Sequence, residues 1–237
     1  MTEKHGKKEL VIPGEIIATG DEFLPGDWTL KQGNDIISSR YGVVEKQDRL
    51  IKIIPISGVY IPRSGNTVIG EIKDLTNAGW VIDIGGPYQA FLPLRECPGF
   101  VEESEMENIY GIGDLILTQV LNVKRTSVDL TMKMRERGFG KIREGSIIRV
   151  NPHRVPRVIG KEGSMVSLIK NASNCMITVG QNGLIWIQGN NIDEQIYAEK
   201  AIQFIVENIT TEGLTEKAEK WLADNKPKIT KEAKKQD

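Results

Sequence analysis

The chain has 237 residues, 27% of them charged and 39% hydrophobic, which is the composition of an ordinary folded protein in water. No apolar run is long enough to cross a bilayer, and the opening MTEKHGKKEL has charges with no apolar stretch behind them, so neither a membrane helix nor a secretory leader is expected. The net charge of −1 hides an uneven distribution: residues 1–123 carry −7, residues 124–170 carry +8, residues 171–210 carry −3 and the rest +1.

A net +8 over that middle stretch is either a field that attracts polyanions or a solvated basic face. Cys97 and Cys175 are the only cysteines and lie in unrelated contexts, while His5 and His153 lack zinc-ligand spacing. Reduced thiols, a cytoplasmic location and no metal or cofactor are therefore expected.

In chain order, "ELVIPGEIIATG" and "YGVVEKQDRLIKIIPISGVYIP" are short apolar or alternating runs broken by Gly and Pro, the pattern of a small all-β module. Residues 65–137 then predict five short strands: 68–75, 80–84, 89–92, and two more in "GDLILTQVLNVKR" and "SVDLTMK". Glycine turns separate them, which fits a small OB-type barrel. The acidic run 102–107 reads as a solvated loop, and no catalytic constellation is present.

Residues 138–210 predict strand, helix pair, two strands and a helix. "SIIRVNPHRVPRVIG" reads as strand broken by Pro152 and Pro156, and "SMVSLIKNAS" as helix. "CMITVG" and "LIWIQG" read as strands joined by the hairpin signal Asn182-Gly183, with Trp186 in the core. In "DEQIYAEKAIQFIVENI", Ile196, Ala198, Ala201, Ile202, Ile205 and Ile209 recur at helical steps. The remainder, 211–237, reads as a charged tail, helical around 216–223 and broken into disorder at Pro227. The expected fold class is multi-domain, β-rich plus α+β: an N-terminal all-β module (1–64), an OB-type five-stranded barrel (65–137), an α+β domain (138–210) and the tail.

The candidate site lies in "VPRVIGKEGSMVSLI". With 24 glycines, a pair three apart such as Gly160 and Gly163 is expected by chance, so its context must decide. A P-loop needs Ser or Thr where Glu162 stands, and a dinucleotide loop needs a third glycine in a βαβ unit. What fits is the Ile-Gly-x-x-Gly of a KH domain, which opens a helix and grips four nucleotides. On that reading the glycines let a phosphate chain approach, Lys161 adds a cation, and bases rest in a groove including Val158 and Ile159. Because Glu162 offsets Lys161, the grip falls on Arg154, Arg157 and the helix amides. In the barrel, Trp80, Tyr88 and Phe91 either stack on bases or fill the core, and Lys124 and Arg125 either touch phosphate or form a solvated turn.

The run Gly79, Trp80, Val81, Asp83, Gly85, with Phe91-Leu92, Gly113-Asp114 and "DLTMK" after it, resembles the RNA-binding barrel named after ribosomal protein S-one. With "VIPGE", "GWVIDI", "VPRVIGK" and "NGLIW", the chain resembles the RNA-binding cap subunits of the archaeal exosome, the ribosomal-RNA-processing-protein-four family. That resemblance implies a non-catalytic subunit, three copies of which cap a hexameric ring of RNase-PH-like subunits. The N-terminal module would be the ring contact, and the S-one barrels would surround the entrance pore. The cap would capture RNA and feed its 3′ end to the ring for degradation and processing. Two alternatives remain at this point: a scaffold that only stabilises the ring, and an RNA-binding factor of the transcription-elongation type.

Overall fold

The computed structural model describes residues 9–133, 138–208 and 213–226. The expected break at Pro227, the tail behind it, and Ile209 lie outside these. The chain parts into two compact units between Gly58 and Val59.

The first unit is all β. Its strands are β1 (Leu10–Val11), β2 (Ile16–Thr19), β3 (Leu24–Pro25), β4 (Thr29–Gln32), β5 (Asp35–Ser38), β6 (Gly42–Gln47) and β7 (Leu50–Pro55). They form two sheets, ordered β1-β6-β7-β3 and β2-β5-β4. Among the described residues, Val11, Ile17, Ile36, Ile51 and Ile53 make the unit's buried core. Trp28, at φ 62°, is capped by the Arg40 guanidinium 4.7 Å above its ring.

In the second unit the barrel comes first: β8 (Thr67–Thr76), β9 (Gly79–Asp83), β10 (Gln89–Pro93), β11 (Leu115–Val123) and β12 (Ser127–Thr131). The ladder runs β12-β10-β9-β8-β11 and closes through β11–β12, with β10 and β12 parallel. This is the closed OB arrangement, which leaves no free edge. Val68, Ile72, Trp80, Ile82, Ala90, Leu92, Val120 and Leu130 fill it. The acidic run is not a plain loop: a 3-10 turn at Glu103–Glu105 leads into α1 (Met106–Ile109), which buries Met106 in the barrel core.

A short strand, β13 (Gly140–Lys141), pairs with β11 and carries the chain into the α+β part. There β14 (Ser146–Arg149), α2 (Val155–Ile159), α3 (Ser164–Ser173), β15 (Met176–Val179), β16 (Leu184–Gln188) and α4 (Ile192–Glu207) follow in order. The sheet order is β14-β16-β15, all antiparallel, with the helices on one face.

Three expectations are corrected here. Residues 155–159 form a helix, not a strand, because Pro156 sits in the first turn, where its missing N–H has no intrahelical partner to lose. Trp186 is not core: its register neighbours are Ile147 and Thr178, whereas the alternate residues Ile185 and Ile187 are fully buried, so it lies on the sheet's open face. Ile196 is also exposed, and the buried stripe of α4 is Tyr197, Ala198, Ala201, Ile202 and Ile205. A last helix, α5 (Leu214–Asp224), adds Ala218 and Leu222 to this core and stacks Trp221 on Phe204 and Tyr197.

Candidate nucleic-acid interface

The Gly-x-x-Gly loop links α2 to α3 through a tight turn, Lys161–Gly163, kinked at Glu162. Gly160 has φ 75°, Glu162 φ 53° and Gly163 φ 80°, so three of the four residues lie in left-handed space. At Gly160 a Cβ would come within 2.7 Å of both Cβ and N of Met165. At Gly163 a Cβ would meet only Val166, at 4.0 Å. Gly160 is thus demanded by the helix-turn-helix packing itself, not only by the approach of a phosphate chain. α3 starts with no side-chain cap, and its first amide, that of Ser164, donates to Lys161 O.

Around this loop the charges are fewer than the sequence suggested. Arg157 and Lys161 are exposed and have no ion pair among the described residues. Arg154 is turned inward: its Nη1 donates to Val206 O at 3.1 Å, in the last turn of α4. Its Nε is buried with no partner among the described residues. A guanidinium at a helix C-terminus stabilises that end, so Arg154 is tied to α4 through this bond. Val158 is likewise fully buried in the core, which leaves Ile159 as the half-exposed apolar residue beside the loop.

On the barrel the candidates separate by side. Trp80 is fully buried, donates Nε1–H to Tyr110 O at 2.9 Å and meets the Tyr110 ring edge-on at 5.3 Å. It cannot stack on a base. Phe91 faces outward, since Ala90 and Leu92 beside it face in. The register aligns it with Val81 on one side and Asp129 on the other. Lys124 closes on Asp129 at 2.7 Å, while Arg125 in the same loop is exposed and unpaired among the described residues. Tyr88, partly exposed, precedes the Gln89–Ser127 pairing and so lies at the Arg125 end. Phe91, Tyr88, Lys124 and Arg125 therefore share one patch on the strand 2–3 face and the strand 4–5 loop, the surface by which OB barrels hold oligonucleotides.

The barrel and the α+β sheet are locked together by residues that the sequence marks only as a hairpin turn. Asn182, in the β15–β16 hairpin, is buried. Its Nδ2 donates to Ile69 O (2.7 Å) and Ile84 O (3.0 Å), and its Oδ1 accepts from Ile69 N (3.3 Å). The Gln181 amide also donates to Thr67 O. Within the barrel sheet, Lys141 on β13 reaches Asp114 at 2.6 Å; with a further bond from the Gly111 amide, this holds the Asp114 carboxyl below its usual range.

Known proteins show the same order of parts. Residues 10–47 match the family model for the N-terminal region of the exosome complex exonuclease RRP4, and residues 145–193 match a KH domain. The exosome complex component Rrp4 of Methanobrevibacter smithii is 39% identical over 216 residues, covering 91% of this chain and 71% of its own. The corresponding protein of Thermococcus kodakarensis is 37% identical over 222 residues, with 91% and 85% covered. The chain belongs to the exosome component Rrp4 family. Among solved structures, one described provisionally as an exosome complex RNA-binding protein superposes with a TM-score of 0.62 at 32% identity, over 70% of this chain and 97% of that one. Within this Rrp4-family chain, then, the α+β part is the KH domain, and the Asn182 hairpin is where it meets the barrel.

Proposed function

We propose that the protein is a non-catalytic RNA-binding subunit of an exosome, which captures single-stranded RNA and feeds its 3′ end to an RNase-PH-like phosphorolytic ring in the cytoplasm. One observation carries the reading: an OB barrel patch with Phe91, Tyr88 and Arg125, and a KH loop whose Arg157 and Lys161 have no ion pair among the described residues, belong to one compact unit. Aromatic faces supply sequence-tolerant stacking and the free cations supply phosphate contact, which suits a chain that must accept any RNA end. The names of its relatives, exosome components and an exosome RNA-binding protein, agree with it.

The N-terminal module is read as the ring contact, with three copies per ring. Two apolar rows support this. Ile16, Ile37 and Leu30 are register partners across one sheet, and Ile16 and Leu30 are 56% and 62% exposed. Leu10, Val43 and Ile54 are aligned across the other, with Leu10 and Ile54 52% and 51% exposed. So small a module with both outer faces apolar has the surface of a docking piece.

The test is RNA affinity as a function of salt for Arg157→Ala with Lys161→Ala. Losing two phosphate contacts should weaken binding and reduce the salt slope by about 1.4. Unchanged affinity and slope would make the KH domain a scaffold.

A further inference from the structure

Between the barrel and the KH sheet lies a crevice of about 250 Å³ that the reading above does not use. One wall is a cross-strand row on the outer face of the barrel, Leu115–Glu71–Asp83. The other is the open face of the KH sheet, with Arg149 opposite Leu184 and Ile147 two residues before Arg149. Asn182 fastens the two walls through Ile69 and Ile84, so the gap has a fixed width.

Its polar groups are left open. Lys73 holds one oxygen of Glu71 at 2.7 Å, and the Gly85 amide holds one oxygen of Asp83 at 2.8 Å; the second oxygen of each has no partner among the described residues. Arg149 is exposed and makes no hydrogen bond or ion pair among them. Two carboxylates repel a phosphodiester, and no group of three or more His, Cys, Asp and Glu among the described residues is placed to hold a metal ion. The volume is below that of a drug-sized pocket, so the occupant is a single small planar group.

Resting on the RNA-binding reading, the geometry points to a pocket for one unpaired guanine base. Guanine alone among the four bases presents adjacent donors on one edge (N1–H and the 2-amino group) and adjacent acceptors, O6 and N7, on the next. The donor edge fits the open carboxylate oxygens of Glu71 and Asp83. The acceptor edge fits the Arg149 fork, the pairing by which arginine reads guanine elsewhere. Leu115, Ile147 and Leu184 supply the apolar walls that an unstacked base requires.

The test is fluorescence anisotropy of the full chain with a labelled oligoadenylate, against the same oligomer carrying one central guanosine or one inosine. The guanosine oligomer should bind about tenfold tighter than oligoadenylate. Inosine, lacking the 2-amino donor, should fall between. Arg149→Met, and Glu71→Gln with Asp83→Asn, should each erase the preference while leaving oligoadenylate affinity and thermal unfolding unchanged. Equal binding of all oligomers by the parent chain would overturn the pocket and leave RNA binding standing. A guanosine preference that survives both variants would also overturn it, whether or not they weaken association with the ring. Failure to bind any oligomer would remove the RNA-binding reading and this pocket with it.

Discussion

Asn182 and Ile69 are 113 residues apart, yet the Asn182 side chain makes two hydrogen bonds with the Ile69 backbone, accepting from its N–H and donating to its carbonyl. A primary amide presents a donor and an acceptor side by side, so it pairs with a strand as a neighbouring strand would. Through this pair the hairpin turn of the KH sheet becomes part of the barrel's hydrogen bonding.

Removing it should be costly. Asn182→Ala leaves three buried backbone groups at Ile69 and Ile84 without partners, a loss of about 2–4 kcal/mol. Asn182→Asp should cost at least as much, because a carboxylate cannot donate to the two carbonyls. Urea denaturation followed by tryptophan fluorescence should show a lower midpoint, and a shallower slope if barrel and KH domain then melt separately.

Trp80 and Phe91 sit one row apart on opposite sides of the same sheet, and their mutants should separate stability from binding. Trp80→Ala empties the centre of the barrel and should cost about 3–5 kcal/mol. Phe91→Ala should leave the melting temperature nearly unchanged and weaken single-stranded RNA by about 1–3 kcal/mol. Calorimetry on the two variants, with RNA titration of the second, checks both.

Acid should loosen the hold of β13 on the barrel through Asp114. Its folded pKa lies below the usual 3.8, first because of the bond from Lys141. A depressed carboxyl contributes stability that is complete above its unfolded pKa and fades as pH falls through the lower folded value. The stability gap between the parent chain and Asp114→Asn should therefore be constant above about pH 5 and shrink progressively below 3.8. A gap that persists unchanged at pH 2 would show that the ion pair is not its source.

The apolar rows of the N-terminal module make a third surface prediction. Leu30→Glu and Ile54→Glu replace exposed side chains, so each variant should fold with near-parental stability. At least one should fail to co-elute with the RNase-PH-like ring on gel filtration. Normal co-elution of both would place the contact elsewhere.

Much of this could be read from the chain itself, because the strands are short and punctuated by glycine and proline. The barrel residues were also separable in principle: Trp80 shares its parity with Ile82, and Phe91 is flanked by Ala90 and Leu92, so period-two alternation puts one inside and the other outside. Other features depend on contacts that no local pattern carries. Arg154 looks like a loop cation until α4 brings Val206 to it from 52 residues away. The hairpin signal at Asn182-Gly183 predicts the turn correctly and says nothing of the strand its amide will meet. Gly160 looks like room for a ligand, and the structure adds Met165 as a reason of its own.

The most direct test of the whole account is the rate at which the cognate RNase-PH-like ring degrades a single-stranded RNA, with and without this chain, at RNA concentrations around KM. A capturing cap should lower KM severalfold, leave kcat per ring unchanged, and show no degradation when the chain is assayed alone. The Arg157→Ala, Lys161→Ala variant should give back most of the gain while still co-eluting with the ring. An unchanged KM with the chain bound, or RNA cleavage by the chain alone, would contradict the proposal.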